Sequence, residues 1–202
     1  MQRLALPALL LLLAATSATA AEPPTRDPAA VQAGAYAVES RHTRVQFAVS
    51  HLGISDWYGD FTGASGSLKL DPANPASMQV DVSLPVASVT TTNAVLDGEL
   101  KSAAWFDAAQ YPTIRFVSTK VERTGPDKAA ITGDLTFHGV TRPVVLSATL
   151  NGAGPDPMGK GYLVGFNASG VIKRSDFGVK TYLPMIGDDT TLRISAAFEK
   201  AQ

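Results

Sequence analysis

The stretch Ile131–Leu150 restricts the possible folds of this chain more than any other part of the sequence. Within Ile131–Phe137, apolar and polar residues alternate, and Val144–Leu150 repeats the alternation. A period of two is typical of a strand with one buried face. Between the two runs lie His138 and Gly139, and a glycine readily adopts the positive φ that a tight reversal requires. The stretch is therefore predicted to form an antiparallel hairpin whose apolar face must be covered.

The same alternation recurs along most of the chain, so the cover is predicted to be more strands. The predicted strands are Tyr36–Glu39, Arg44–Ser50, Tyr58–Leu70, Met78–Leu84, Thr113–Val121, Ala129–Phe137, Pro143–Leu150, Gly161–Lys173 and Thr190–Lys200. One helix is predicted over Asn93–Ala104, with Asn93 as its cap and Gly98 as a weak point. These nine strands become eight when neighbours are merged. They favour an all-β fold, an eight-stranded antiparallel up-and-down barrel with one short helix, over a two-sheet sandwich.

The first 20 residues have the pattern of a secretory signal peptide. Arg3 supplies a positive charge, Leu4–Ala15 is almost wholly apolar, and Ala18 and Ala20 are the small residues that precede a cleavage site. An uncleaved anchor is the alternative, but the apolar run is short for a membrane span. We expect a signal peptide over residues 1–20, a disordered leader over 21–34 and one folded domain over 35–202. Export predicts a location in the periplasm.

Composition excludes several classes of function. The 202 residues include no cysteine, which excludes disulfides and lipid attachment at a cysteine. Removing Arg3 with the signal peptide leaves 16 basic residues (17 − 1) against 18 acidic ones. A chain with this balance has no basic field for nucleic acid or for anionic lipid surfaces.

Residues that could carry chemistry are sparse. The chain has no cysteine nucleophile, no Gly-x-Ser-x-Gly motif and no glycine-rich phosphate loop. His42, His51 and His138 are the only candidate metal ligands besides carboxylates, and their spacing does not match a zinc motif. We therefore expect no catalytic residue, no metal and no cofactor.

The interior of the predicted barrel is the most informative feature. Eight strands enclose a space that side chains can fill or that can hold one small ligand. Strands of about ten residues at ~3.4 Å each, when tilted, make a tube roughly 25 Å long. A tube of this shape suits one extended apolar chain, although a solidly packed core is the alternative for any single phenylalanine.

Six short motifs in order resemble the YceI-like family of polyisoprenoid-binding, lipocalin-like periplasmic proteins. They are Val45–Gly53, Gly59–Phe61, Leu96–Asp107, Tyr111–Phe116, Gly133–Val144 and Lys173–Gly178. The resemblance extends from about Tyr36 to Lys200. It implies an eight-stranded barrel that holds an isoprenoid, such as a quinone tail or a polyprenyl phosphate, with no known catalysis.

The residues predicted to surround the bound lipid are mostly apolar side chains on the predicted strands and helix. They are Phe47, Phe61, Val82, Leu96, Leu100, Phe106, Phe116, Leu135, Phe137, Leu146, Phe166 and Phe177. His51, Asp97 and Arg174 are predicted to lie at the barrel mouth or against the lipid headgroup, with Arg174 pairing with Asp97 or with an anionic headgroup. Arg174–Gly178 is predicted to close one end of the barrel.

Two other functions remain open at this point. One is an enzyme that acts on a lipid headgroup and uses His51, Asp97 and Arg174 at the barrel mouth. The other is a β-domain with a solid core that binds a protein partner. The expected partners are an isoprenoid lipid and, transiently, the inner membrane or a membrane redox protein, but no nucleic acid. The oligomeric state is open, with a dimer among the options.

Cleavage of the signal peptide is directly testable. We expect the exported protein to begin at Ala21, because Ala18 and Ala20 satisfy the small-residue rule and the two prolines after Glu22 could not continue a helix. Intact mass spectrometry of the periplasmic fraction gives the answer. A mature protein that still contains Leu4–Ala15 would contradict the periplasmic location.

Overall fold

The computed structural model describes residues 23–159 and 161–201, so the predicted signal peptide lies outside the described residues. The strands are β1 (Gly34–Val38), β2 (Arg44–His51), β3 (Ser55–Phe61), β4 (Ser65–Leu70), β5 (Gln79–Pro85), β6 (Thr113–Arg123), β7 (Lys128–Phe137), β8 (Val140–Pro155), β9 (Tyr162–Lys173) and β10 (Ile186–Lys200). One α-helix, α1, spans Ala94–Lys101. Within the described residues, no helix is both long enough and apolar enough to span a bilayer.

The ten strand segments form a closed antiparallel barrel of eight strands. Segments β1 and β2 are consecutive parts of one barrel strand, since both pair with β10, and β3 and β4 form the next one. From β4 onward each strand pairs with the next in sequence, and β10 returns to β1. The predicted all-β, eight-stranded up-and-down barrel with one short helix is confirmed, and the two-sheet sandwich is excluded.

The hairpin predicted from Ile131–Leu150 is the β7–β8 pair. Phe137 pairs with Val140, so only His138 and Gly139 form the turn. Both have positive φ, 50° for His138 and 74° for Gly139, as a two-residue hairpin turn requires. The alternating apolar residues of both strands, including Leu135, face the barrel interior.

One end of the barrel, the helix end, is covered by α1 and the residues that follow it. The Asn93 side chain accepts hydrogen bonds from the backbone N–H groups of Val95 and Leu96, which confirms the predicted cap. The helix is shorter than predicted, because the chain leaves helical geometry at Ser102 and then turns inward. The Phe106 N–H donates to the Leu100 carbonyl at 3.0 Å, and this turn places both side chains in the core.

The opposite end, the far end, involves the segment for which the sequence predicts a disordered leader. That prediction is wrong for the described residues of the segment. Thr25 and Ala153 exchange two backbone hydrogen bonds of 2.8 Å, and Pro28–Ala30 form a 3₁₀ turn. Val31 is buried with Leu68, Leu150 and their neighbours. We call residues 23–33 the N-terminal strap. An isolated Pro- and Ala-rich segment shows no periodicity, but one apolar side chain and one exposed strand end suffice to fix it.

A pair of glycines allows a test of the fold. Gly98 lies within α1 with open space where a Cβ would stand, so Gly98→Ala should raise the free energy of unfolding by about 1 kcal/mol. Gly139→Ala should lower it by at least ~1 kcal/mol, because an alanine at positive φ is strained and its Cβ would lie 2.5 Å from the Tyr111 ring. Urea unfolding of both variants measures the two changes. Equal effects of the two substitutions would contradict the hairpin geometry.

Candidate ligand cavity

The barrel encloses a cavity of about 640 Å³ that runs between its two ends. Its wall consists almost entirely of apolar side chains from all eight barrel strands and from α1. Cavities of roughly 300–1,000 Å³ are typical of sites for small ligands. The alternative of a solid core is therefore wrong for the center of the barrel.

Eleven of the twelve side chains predicted to surround a ligand line this cavity. They are Phe47, Phe61, Val82, Leu96, Leu100, Phe106, Phe116, Leu135, Phe137, Leu146 and Phe166. Their inward direction confirms the predicted register of the strands. Whether they touch a ligand stays a prediction.

Phe177 is the exception. It is 1% exposed but does not line the cavity, because it belongs to the 3₁₀ turn Arg174–Phe177 and packs behind Phe137 at a ring distance of 5.9 Å. His138 Nδ1 lies 3.0 Å from the Phe177 carbonyl oxygen, which ties this turn to the β7–β8 hairpin. Phe177 therefore supports the wall without reaching the interior.

The structure adds lining residues that the sequence prediction left out. The last strand contributes Leu192, Ile194 and Ala196, whose alternation was visible in the sequence. Trp105 and Tyr182 also line the cavity, with their rings 6.1 Å apart. Sequence periodicity could not predict Trp105 and Tyr182, because they lie in irregular segments that meet only in the folded chain.

Aromatic rings narrow the tube near its helix end. The rings of Phe47, Phe61, Phe106 and Phe137 form a contiguous cluster with centroid distances between 5.3 and 6.3 Å. Gly59 lies directly across the strand pair from Phe47, where any Cβ would come within 2.3 Å of the ring. The absence of a side chain at Gly59 thus decides where the Phe47 ring can lie.

Within the part of the chain that the structure describes, Arg174 is the one buried charge on the cavity wall, with 5% of its surface exposed. Its guanidinium donates to four backbone carbonyls, those of Val179, Thr181, Ile186 and Gly187, at 2.8–3.0 Å. Four of its five N–H groups are thereby used, and the fifth, on Nη1, has no acceptor among the described residues. Burial lowers the pKa of this guanidinium, although an arginine stays protonated in proteins.

The same guanidinium also lies 5.5 Å from the center of the Trp105 ring, a distance at which a cation is attracted by the ring face. Arg174 therefore holds the loop of residues 178–187 against the helix end of the barrel. The segment Arg174–Gly178 thus lies at the helix end, and its predicted role in closing that end stays a prediction.

The three residues predicted at the barrel mouth do not form one group. Asp97 accepts hydrogen bonds from the backbone N–H and hydroxyl of Thr91, at 2.6 and 2.7 Å, and does not line the cavity. The bond from the Thr91 hydroxyl holds the pKa of the Asp97 carboxyl below its usual value. Asp97 serves to anchor the start of α1, so the predicted Arg174–Asp97 pair is wrong.

His51 does lie on the cavity wall at the helix end, as predicted. Its ring is 6.3 Å from that of Trp57, and its backbone pairs with Ile186, whose carbonyl accepts from Arg174. His51, at the end of β2, and Arg174, in the turn after β9, thus approach the same part of the mouth.

The described residues, 23–159 and 161–201, contain no group of three His, Cys, Asp or Glu side chains that could hold a metal ion. His42 contacts the Glu39 carboxylate, and His138 contacts the Phe177 carbonyl. Each histidine thus has different contacts, and the three do not form one site.

The comparisons with known proteins agree with this geometry. Residues 36–198 match the YceI-like domain, which is four-fifths of the chain. The chain belongs to the YceI-like family. Its relatives in this family include protein YceI of Escherichia coli O157:H7, which is 44% identical over 157 residues, covering 78% of this chain and 81% of that protein.

Solved structures with the YceI-like barrel extend the comparison. The crystal structure of BcnA from Burkholderia cenocepacia has a TM-score of 0.72 and 25% identity, covering 79% of this chain and 98% of that one. A polyisoprenoid binding domain from Saccharophagus degradans has a TM-score of 0.64, covering 84% of this chain and 100% of that one. At 13% identity, this second likeness shows the fold alone. The N-terminal strap precedes the residues that match the YceI-like domain.

The role of Arg174 in the YceI-like barrel is testable. Arg174→Met keeps the length of the side chain but leaves four carbonyls without their donor, so it should lower the free energy of unfolding by about 2–4 kcal/mol. Arg174→Lys should recover part of the loss, because lysine offers fewer donors in a different geometry.

Arg142→Met is the matched control, since Arg142 is exposed and its guanidinium donates only to the carbonyl of Thr141. Its effect should stay within about 0.5 kcal/mol. Urea unfolding of the three variants measures these differences. A loss for Arg174→Met no larger than for Arg142→Met would show that the loop does not depend on the guanidinium.

Proposed function

We propose that this protein binds an isoprenoid lipid inside its barrel, as a periplasmic binding protein for transport, storage or stress protection. The observation that carries the proposal is the continuous apolar cavity, whose wall includes eleven side chains at the positions expected from the sequence. Membership of the YceI-like family supports it. So does the barrel shared with a domain described as polyisoprenoid binding.

The shape and chemistry of the cavity favour an extended apolar chain. The wall at mid-length, with Phe116, Leu135 and Leu146, offers no charged group, so a polar metabolite would lose its hydration without replacement. An isoprenoid chain has no polar groups whose hydration would be lost. Each CH₂ group removed from water contributes about 0.8 kcal/mol, so a chain of a few isoprenoid units has ample driving force before ordering costs.

Arg174 supports a ligand with an electron-rich headgroup, such as an isoprenoid quinone or a polyprenyl phosphate. Its free N–H on Nη1 belongs to a buried cation on the cavity wall, and a carbonyl or phosphate oxygen is the natural acceptor. His51 lies at the same end and can add a second polar contact. The headgroup is therefore proposed to lie at the helix end, with the tail directed to the far end.

We propose binding rather than catalysis. The alternative enzyme would combine His51, Asp97 and Arg174, but Asp97 is engaged by Thr90 and Thr91 outside the cavity, and Arg174 is engaged by loop carbonyls. The signal-peptide pattern of residues 1–20 supports the proposed periplasmic setting. There the protein would obtain its lipid by transient contact with the inner membrane or with a membrane redox protein.

The test is a comparison of lipids extracted from wild-type protein and from variants of β7. Mass spectrometry of an organic extract of the wild-type protein should find an isoprenoid at near-stoichiometric amount. Leu135→Glu places a charge on the apolar wall, which cannot solvate it, and should abolish lipid retention. Leu135→Ala should cost about 2 kcal/mol of stability and retain part of the lipid.

Thr132→Glu is the matched control, because Thr132 lies on the outward face of the same strand, opposite Lys120. It should retain the lipid as the wild-type protein does. An extract of wild-type protein that contains no isoprenoid, or lipid retention in Leu135→Glu equal to that in Thr132→Glu, would refute the proposed function.

A further inference from the structure

The exposed apolar side chains of this protein are concentrated at one end. Ten large apolar side chains are exposed in the described part of the chain, and six of them lie at the helix end. They are Leu52, Ile54, Trp57, Val95, Tyr182 and Met185. We call these six residues the apolar rim. They come from three separate parts of the sequence, so their meeting is a property of the fold.

Five of the six rim residues lie on two segments that are joined to each other. The β2–β3 turn and the loop of residues 178–185 are joined, since the Leu52 N–H donates to the Met185 carbonyl at 2.7 Å. Tyr182 belongs to the same loop, and its carbonyl accepts from the Ile186 N–H at 2.9 Å. Leu52 has a φ of 58°, and this turn leaves Ile54 84% exposed. Val95 lies in the first turn of α1 at the same end of the barrel and is 82% exposed.

The rim is also continuous with the cavity. Trp57, Val95 and Tyr182 are exposed to solvent and at the same time line the cavity wall. An apolar surface thus leads from the outside of the protein to the aromatic cluster, although His51, Glu99 and Arg174 also line the cavity at this end. At the far end the cavity wall includes Arg123, Asp127 and Lys128, and none of the six rim residues lies there.

From these observations we infer that the apolar rim docks the protein onto a lipid bilayer, with the mouth facing the membrane. The inference rests on the proposed function, because it names the source from which the barrel takes its lipid. A ligand that passes through a docked mouth does not expose its apolar chain to water.

The chemistry of the rim favours a bilayer over a protein partner. Trp and Tyr beside aliphatic residues are typical of side chains at the membrane–water interface. Ile54 and Val95 project on separate turns, and a fluid bilayer accepts such tips without the complementary shape that a protein surface would need. The charged residues near the rim are of both signs, with Asp56 and Glu99 against Lys180. Anionic lipids are therefore not required.

The first experiment measures binding to neutral phosphatidylcholine vesicles by co-sedimentation. Wild-type protein should bind, with little change between 50 and 500 mM salt, because the rim residues are uncharged. Ile54→Asp should weaken binding about tenfold or more, since it replaces an inserted apolar side chain with a charge. Met158→Asp is the matched control: Met158 is 95% exposed, but it lies in the β8–β9 turn at the far end, so binding should not change.

The second experiment locates the contact. The chain has two tryptophans, Trp57 in the rim and Trp105 in the core, where it is 7% exposed. Vesicles of brominated phosphatidylcholine should quench the fluorescence of wild-type protein. They should quench Trp57→Phe much less, because Trp105 then remains as the only tryptophan.

The outcomes separate the docking surface from the proposed function. Wild-type protein that yields an isoprenoid extract but does not bind vesicles would refute the bilayer and leave the function intact. So would equal binding by Ile54→Asp and Met158→Asp. If Ile54→Asp instead converts a dimer to a monomer in analytical ultracentrifugation, with no effect on vesicle binding, the rim is an interface between two copies and the inference is wrong. Vesicle binding with no isoprenoid in the extract would support the docking surface while the proposed function fails.

Discussion

The cavity exists because the barrel closes, and closure depends on the pairing of β10. This strand pairs with β9 along most of its length on one side. On its other side it pairs with β2 through residues 186–195 and with β1 through residues 198–200. Without these pairings the sheet would have two free edges, which are open to pairing with other chains. The interior would also be exposed to water, and its apolar side chains would collapse onto each other.

Closure with only eight strands leaves little interior, so each inward position matters. Large rings lie over small residues of the neighbouring strand, as the Phe47 ring does over Gly59. A similar arrangement brings the Phe116 ring against Gly133, where a Cβ would come within 2.4 Å of the ring. Gly59 and Gly133 thus let the rings of Phe47 and Phe116 lie close to the wall of the barrel.

The regular part of the fold could be predicted from the sequence because it depends on local alternation. The β7–β8 hairpin, its turn at Gly139 and the inward direction of Leu135 all follow from a period of two. The parts that failed depend on contacts between distant segments. The sequence around Asp97 does not show whether this residue anchors the helix or lies at the barrel mouth. Phe177 has the right chemistry for the interior, but a 3₁₀ turn places it behind the wall.

The prediction of a disordered leader failed at the N-terminal strap for the same reason. Its order comes from Val31 in a pocket near Leu68 and Leu150, and from backbone pairing of Thr25 with Ala153. Composition predicts disorder correctly for a Pro- and Ala-rich segment only when the segment makes no contacts with the folded domain. Buried Arg174 is the opposite case, since a motif predicted its importance while only the structure assigns its four carbonyl partners.

The strap lies at the end of the tube opposite the apolar rim. Pro28 and Val31 form part of the cavity wall at the far end, whereas the apolar rim lies at the helix end. If a ligand enters past the rim, the end that enters first comes to lie against the strap. A ligand chain longer than the cavity would keep the part that enters last outside the barrel. Such a molecule would stay within reach of other proteins while most of it is stored.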